Sequence, residues 1–229
     1  MKEEINNKEF RLKNATLKVN EIIVNKLLKL PYFNNSNFNK NISTLKRILI
    51  TDGPLLEEGQ LAAYSSKTNS LYVDYCNICE SISDEQLEIL ILHEYIHMAS
   101  TDLKKQIIGF ESEIIPITYN EAITQWLTLK LYYGDENLNK AIEKNIIYPE
   151  SVKLIDSFIK DVNEENVLNG FFEANIKKNT TQFPKENKNK LFDIIIRLGN
   201  SQEEQISQKR LDNLNKKLYS KEYNDDFDR

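Results

Sequence analysis

The residues of this chain with the clearest chemical potential lie in "ILILHEYIHMAS", residues 89–100, which contains both histidines of the protein, His93 and His97. Residues four apart lie on the same face of an α-helix, so the two imidazoles can present nitrogen atoms to one point. Zinc accepts such nitrogens at about 2.0–2.1 Å. Glu94 is rotated by about 100° from His93 around the helix, where its carboxylate can reach a metal-bound water. The spacing predicts a zinc site in which Glu94 is the general base.

The rest of the segment is apolar on nearly every side of the predicted helix. A helix without a polar face is normally buried. The alternative to a metal site is a buried helix that carries two core histidines. Burying two imidazoles and a carboxylate without a metal or a partner is costly, so the apolar surroundings favour the metal. The apolar positions are Leu87, Ile89, Leu90, Ile91, Leu92, Ile96 and Met98.

A third ligand must come from outside the HExxH segment. A catalytic zinc ion typically has three protein ligands and a water, and no histidine remains. We expect the ligand to be Glu121 in "TYNEAITQWLTLKL". It begins a polar line at positions i, i+3, i+4 and i+7 of an otherwise apolar helix, and this line requires a polar partner. The other members are Thr124, Gln125 and Thr128.

Two alternatives to this ligand remain open. Glu111 and Glu113 are rival ligands in the preceding loop. Glu121 could instead close a capping box with Thr118, in the pattern T-x-x-E.

The elements around these residues predict an α+β fold. Helices are expected at 14–30, from Ser83 (a capping box with Gln86) through the HExxH segment, and from about Tyr119 to Tyr133. A strand at 47–51 and a hairpin, Leu61–Tyr64 with Leu71–Tyr75, form a small mixed or antiparallel sheet whose edge strand lies above the HExxH helix. Residues 103–118 are expected to be a loop. Beyond residue 135 the pattern is helical, with breaks near Pro149, Gly170, Pro184 and Gly199. We therefore divide the chain into a core, 1–133, and a helical C-terminal subdomain, 134–229.

Composition excludes several classes of function. The net charge is −5 with both signs interleaved, and no basic face suggests a nucleic-acid partner. No run approaches the roughly 18 apolar residues that a membrane helix needs. "MKEEINNKEF" lacks the apolar region of a signal peptide, so a cytoplasmic protein is expected. Cys76 and Cys79 form a CxxC without a second pair, which excludes a Cys₄ site and favours two small, partly buried thiols over a redox pair.

"HEYIH" followed by "NEAIT" resembles the gluzincin metallopeptidases of the thermolysin type, and "AAYSSKTNSLYV" is similar to the hairpin before their metal helix. The resemblance covers about residues 45–133. It implies a zincin-like fold and a zinc peptidase that hydrolyses peptide or protein substrates, with zinc on His93, His97 and Glu121. It also implies that the strand Ala62, Ala63 and Tyr64 binds an extended substrate by main-chain pairing.

The sequence departs from this family at two points. Gln125 stands where these enzymes often have Asp or Ser to support a zinc histidine, and we expect Gln125, with Asn120, to support the ligands. The distant oxyanion histidine is absent, so a tyrosine or a backbone donor must replace it. We expect Tyr119, with Tyr132, Tyr133 and Tyr148 as alternatives.

The alternative functions are a zincin-fold binding module without hydrolysis and a cytoplasmic peptidase of the type that cleaves phage repressors.

Overall fold

The computed structural model describes residues 2–50, 56, 60–74, 82–110, 115–175 and 183–200. Cys76, Cys79, Glu111 and Glu113 lie outside the described residues, so the expectations about them stay predictions. Eight α-helices and five strands are described, and the chain has the expected mixed α and β character. The helices are α1 (Lys2–Asn25), α2 (Asn35–Ser43), α3 (Asp84–Ala99), α4 (Ile117–Tyr133), α5 (Leu138–Lys144), α6 (Pro149–Val162), α7 (Glu164–Phe172) and α8 (Lys185–Asn200). The strands are β1 (Lys46–Ile50), β2 (Ala62–Ser65), β3 (Ser70–Asp74), β4 (Thr101–Asp102) and β5 (Ile107–Ile108).

The larger sheet has three strands in the order β1-β3-β2. β1 runs parallel to β3, and β2 pairs antiparallel with β3 across the expected hairpin. β2 is therefore an edge strand of this sheet in the described part of the chain. The sheet is mixed, as the sequence predicts.

The HExxH segment forms α3, and its start is fixed by the predicted capping box. The amide of Gln86 donates to Ser83 Oγ at 3.2 Å, and the amide of Ser83 donates to Gln86 Oε1 at 2.8 Å. Asp84 and Glu85 in the first turn complement the positive end of the helix. Every residue from Ile91 to Ala99 is buried, which confirms the burial that the apolar pattern predicts.

The connection from α3 to α4 is more ordered than the loop that the sequence predicts. It contains the short antiparallel pair β4–β5, and the amide of Gly109 donates to the carbonyl of Ser100 at 2.8 Å. α4 begins directly after Pro116, two residues earlier than expected, and it has no side-chain cap. The capping box between Thr118 and Glu121 therefore does not form, since Thr118 lies inside the helix.

The remaining helices agree with prediction to different degrees at their ends. α1 begins at Lys2 rather than near residue 14. The sequence does not predict its first half, because that half is polar and lacks the apolar spacing of a buried helix. α6 and α8 begin at or directly after Pro149 and Pro184, as expected. α7 ends at Phe172, two residues after Gly170, so the helix breaks near that glycine as expected. Gly199 is the next-to-last residue of α8, which the structure describes as far as Asn200.

One hydrophobic cluster extends from α1 to α8, from Ala15 to Leu198, and surrounds α3 and α4. It includes residues from both sides of the expected boundary at 133/134, and the division into core and subdomain stays a prediction. Among the described helices, none combines the length and the apolar character required to cross a bilayer.

Candidate metal centre

Two imidazoles and one carboxylate converge where α3 faces α4. His93 Nε2 lies 3.0 Å from His97 Nε2. Glu121 places one oxygen 3.1 Å from the first nitrogen and the other oxygen 3.2 Å from the second. Both histidines are buried, and the Glu121 side chain is 20% exposed. The structure thus brings together the three residues that the sequence predicts as ligands, and this group could hold a metal ion.

The donor set fits a metal ion better than it fits an empty core. Two nitrogens that each lie about 2.0–2.1 Å from one ion cannot be more than about 4 Å apart, and these are 3.0 Å apart. Two neutral imidazole lone pairs and a carboxylate offer only acceptors to one another, which is unfavourable without a bound cation or a proton. Two nitrogens and a carboxylate are a common ligand set for zinc.

The orientation of His93 is set by an amide on α4. His93 Nδ1 lies 2.9 Å from Gln125 Oε1, and an amide oxygen can only accept, so the ring carries its proton on Nδ1. Nε2 then has its lone pair directed towards Glu121 and His97. Gln125 Nε2 donates to Asn145 Oδ1 at 3.0 Å, which fixes the amide in this orientation. The predicted supporting role of Gln125 agrees with these contacts.

The orientation of His97 involves Thr124, one position before Gln125. Thr124 Oγ1 donates to the Asn120 carbonyl at 2.9 Å and lies 3.5 Å from His97 Nδ1. Since this hydroxyl already donates, it can only accept from the imidazole. Thr128, the last member of the predicted polar line, does not reach the histidines and bonds the Thr124 carbonyl of its own helix at 2.7 Å.

Glu121 is held as a carboxylate by its neighbours. Burial by itself would raise its pKa, but the facing imidazoles of His97 and His93 outweigh burial and hold the pKa well below its usual range. A carboxylate that stays ionised at neutral pH is the form that coordinates a metal.

Glu94 lies beside the candidate metal ligands and is buried, with 6% of its surface exposed. Burial raises the pKa of its carboxyl, opposed by the nearby imidazoles of His93 and His97. The backbone amide of Tyr64 on β2 donates a hydrogen bond to this carboxyl group. The edge strand therefore contacts the predicted general base directly.

The pairing of β2 determines which of its backbone groups face outwards. The amide of Asp74 donates to the Leu61 carbonyl at 2.8 Å. With Ala62 opposite Val73 and Ala63 opposite Tyr72, the antiparallel pattern turns the backbone groups of Ala63 towards β3. The N–H and C=O groups of Ala62 and Tyr64 point to the other side, where Glu94 lies. Of the three residues predicted for substrate pairing, Ala62 and Tyr64 therefore have their backbone groups on that side.

Two buried asparagines connect the hairpin to the C-terminal end of α3. Tyr64 Oη donates to Asn69 Oδ1 at 2.7 Å, and Asn69 Nδ2 donates to the Asn41 carbonyl at 2.8 Å. Asn41 Nδ2 in turn donates to the carbonyls of Met98 and Thr101, at 2.8 and 2.9 Å. This network positions β2 relative to α3. Sequence reasoning missed it, because an asparagine in a polar segment gives no signal of burial.

Two other predicted residues have contacts away from the imidazoles. The Tyr119 ring is buried against Phe110, with ring centroids 6.1 Å apart. Asn120 Oδ1 accepts a hydrogen bond from the Phe110 amide at 3.1 Å. This side chain of Asn120 therefore helps to position the connection between α3 and α4. The role predicted for Tyr119 stays a prediction.

Tyr148, an alternative donor, lies at the start of α6 and is half-buried. Its pKa is raised to about 12, first by burial and then by the carboxylates of Glu121 and Glu94. The negative charges of these two carboxylates therefore favour the protonated form of the phenol. Asn145, which bonds Gln125, belongs to the same loop and has no sequence pattern that could have identified it.

Comparison of the chain with protein-family models, with curated proteins and with solved structures finds no match. The functional interpretation therefore depends on the geometry of the centre.

Proposed function

We propose that this protein is a zinc-dependent metallopeptidase with a zincin-like fold. The observation that carries the proposal is the convergence of His93, His97 and Glu121 beside a buried Glu94, with the edge strand β2 bonded to that glutamate. A binding site for zinc alone would not require a buried carboxylate next to the ligands.

The three ligands support zinc as the metal. Imidazole nitrogen and carboxylate oxygen from three residues leave a further coordination position, as in catalytic zinc sites. When bound, the ion would lower the pKa of water to about 7 and polarise the scissile carbonyl group.

Glu94 is the general base in this proposal. Its carboxylate takes one proton from the attacking water while the water oxygen forms a bond to the carbonyl carbon of the peptide. The same carboxyl then gives that proton to the amide nitrogen as the C–N bond breaks. The products are one carboxylic acid and one amine, and Glu94 returns to its starting state. The amide of Tyr64 orients the carboxylate through both steps.

Ala62 and Tyr64 provide the surface for an extended substrate. Since the Tyr64 amide is bonded to Glu94, the N–H and C=O of Ala62 and the C=O of Tyr64 are the groups that pair with a peptide backbone. Main-chain pairing next to the general base would place a peptide bond near the metal position. Such backbone groups favour a peptide substrate over a small molecule.

The decisive experiment compares zinc content and cleavage in matched variants. We expect the wild-type protein to contain one zinc ion and to cleave members of a synthetic peptide library, with loss of cleavage in the presence of a chelator. Glu94→Gln should retain zinc and lose turnover. Glu88→Gln is the control, because Glu88 lies on the same helix but accepts a hydrogen bond from Tyr132 at 2.5 Å.

Other outcomes would contradict the proposal in distinct ways. Absence of zinc at neutral pH would contradict the proposed metal centre. Cleavage by Glu94→Gln at the wild-type rate would contradict the role of Glu94 as the general base. Full zinc content without any chelator-sensitive cleavage would favour the alternative, a zincin-fold module that binds peptides without hydrolysis.

A further inference from the structure

Three large apolar side chains are in contact with solvent along the outer side of α1. Phe10 is 62% exposed, Leu17 53% and Val24 57%. They are seven residues apart, and a spacing of seven returns to the same side of a helix within about 20°. The three side chains therefore form one stripe, about 21 Å long at a rise of about 1.5 Å per residue, which we call the outer stripe.

The outer stripe is separate from the side of α1 that is buried in the core. α1 packs against α3, and its buried apolar residues lie about 120–160° around the helix from Leu17. Those residues are Ala15, Val19, Ile22 and Ile23. A surface helix of a single chain normally has a polar outer face. Isolated exposed apolar residues are common, but three in one stripe on a helix that already has a buried face indicate a second contact surface.

The residues of the outer stripe and beside it are complementary to a second copy of α1 that runs in the opposite direction. In an antiparallel pair with a two-fold axis at Leu17, a residue before Leu17 faces the residue at the same distance after it, and symmetry forms every such contact twice. The facing pairs are Phe10 with Val24, Lys13 with Glu21, and Asn14 with Asn20. Each pair is matched in chemistry, since one joins two apolar side chains, one joins opposite charges and one joins two amides.

The charges on either side of the outer stripe favour this antiparallel arrangement over a parallel one. Lys13 and Glu21 are exposed and lie about 40° to either side of Leu17 around the helix. A parallel dimer would place Lys13 against Lys13 and Glu21 against Glu21, which is unfavourable, whereas the antiparallel dimer forms two ion pairs. Glu21 also lies 3.9 Å from Lys18 of its own helix, but an exposed contact of this kind contributes little.

We propose that the outer stripe of α1 is the contact through which two copies of this chain form an antiparallel, two-fold symmetric dimer. Leu17 lies at the two-fold axis and packs on Leu17 of the second copy, with a contact between Phe10 and Val24 at each end. The inference is independent of the proposed peptidase function, because none of these residues belongs to the candidate metal centre. One helix pair buries less surface than a standard interface, so a dissociation constant of roughly 1–100 μM is expected.

Sedimentation equilibrium of the full chain, from about 1 to 200 μM, measures this association. The average mass of the wild-type protein should rise with concentration towards twice the mass of the monomer. Leu17→Asp should raise the dissociation constant by about 100-fold or more, because it places two carboxylates at the two-fold axis. Ile146→Asp is the control and should associate as the wild-type protein does, since Ile146 is 79% exposed but lies in the loop between α5 and α6. Equal association of Leu17→Asp and the wild-type protein would overturn the inference.

Charge reversal tests the register of the two helices. Lys13→Glu and Glu21→Lys should each raise the dissociation constant by about 10-fold, because each variant replaces two attractive contacts by two repulsive ones. The double variant restores both ion pairs with their signs exchanged, so its dissociation constant should return to within about 3-fold of the wild-type value. A double variant that associates no better than the single variants would overturn the antiparallel register.

Oxidative cross-linking tests the two-fold axis. Leu17→Cys places two thiols at the axis, where closely packed helices can bring the Cβ atoms to the roughly 3.5–4.5 Å that a disulfide requires, so a disulfide-linked dimer is expected. Phe10→Cys should not form one, because the two copies of Phe10 lie at opposite ends of an antiparallel contact. The wild-type protein under the same oxidant is the control for Cys76 and Cys79. Cross-linking through Phe10→Cys would indicate a parallel pair and overturn the proposed arrangement.

The concentration dependence of the wild-type protein is the final criterion. A wild-type protein that stays monomeric at about 200 μM would overturn the inference. If Leu17→Asp then also lowers the free energy of unfolding, another segment of the same chain covers the outer stripe in place of a second copy.

Discussion

Gln125 on α4 accepts a hydrogen bond from Nδ1 of His93 on α3 at 2.9 Å, so a side chain of one helix determines which nitrogen of the imidazole on the other helix faces the candidate metal centre. Residues that orient a metal-bound histidine in this way typically contribute 10–100-fold to metal affinity. A carboxylate in the same place would raise the basicity of the imidazole further, but it could not donate to Asn145 as the amide does.

Gln125→Ala is therefore expected to weaken zinc binding by about 10–100-fold, because the ring of His93 loses its partner. Competition with a chromophoric zinc chelator measures the affinity. Thr128→Val is the matched control, since Thr128 is buried on the same helix and bonds only the Thr124 carbonyl among the contacts described. Equal affinities for Gln125→Ala and the wild-type protein would show that Gln125 does not support zinc binding through His93.

Zinc is expected to stabilise the fold as well as to enable chemistry. A ligand that binds only the folded state adds about 2.7 kcal/mol to the free energy of unfolding at 100 times its Kd. Urea unfolding with zinc and with a chelator should therefore give different midpoints in the wild-type protein. His97→Ala should remove this difference. A zinc-dependent shift of the same size in His97→Ala would place the ion elsewhere.

Gly109 is expected to be intolerant of a side chain. Its φ is +53°, and a Cβ there would lie 2.3 Å from Asn120 Oδ1 and 2.5 Å from a ring carbon of Phe171. Strain and overpacking together predict that Gly109→Ala lowers the free energy of unfolding by about 2–4 kcal/mol. Zinc affinity should fall too, since Gly109 lies between the two ligand helices.

Gly134→Ala is the control for this substitution. Its φ is also positive, at +83°, but the nearest atom is 3.0 Å away on the side chain of Glu136, which can move. Its cost should be about 1 kcal/mol. Urea unfolding of both variants measures these changes in the free energy of unfolding. Equal decreases for the two variants would mean that the close approach of Asn120 and Phe171 to Gly109 adds nothing to the cost of a side chain.

Alkaline pH is expected to destabilise the protein through buried tyrosines such as Tyr64. Burial raises the pKa of the Tyr64 phenol from 10.0 to about 12, partly offset by a hydrogen bond with Thr101. Between these values the folded state binds more protons than the unfolded state, so the free energy of unfolding falls as pH rises. The stabilisation is complete below pH 10 and is lost by about pH 12.

Urea midpoints measured from pH 9 to 12 test this expectation. Tyr64→Phe should be less stable than the wild-type protein at pH 9, because it loses the bond to Asn69. Its midpoint should fall less steeply above pH 10, because one titrating group is gone. If the urea midpoints of the two proteins fall equally with pH, titration of Tyr64 does not contribute to the loss of stability.

Much of the candidate centre could be predicted from the sequence because its determinants are local. The spacing of His93 and His97 places both imidazoles on one face of a helix without reference to the rest of the chain. The capping box at Ser83 and the apolar surroundings of the motif likewise act within a few turns of α3. The polar line on α4 identified Glu121 and Gln125 by the same helical period.

The tertiary structure alone decided the relationships between elements. The approach of Glu121 to both histidines, the bond of the Tyr64 amide to Glu94 and the network through Asn41 and Asn69 join residues distant in sequence. Helical periodicity indicates which side of a helix is polar, but it does not indicate which partner will face that side. The carboxylates of Glu121 and Glu94 help to raise the pKa of the Tyr148 phenol. That influence depends on how α6 packs against α4, and no local pattern encodes that packing.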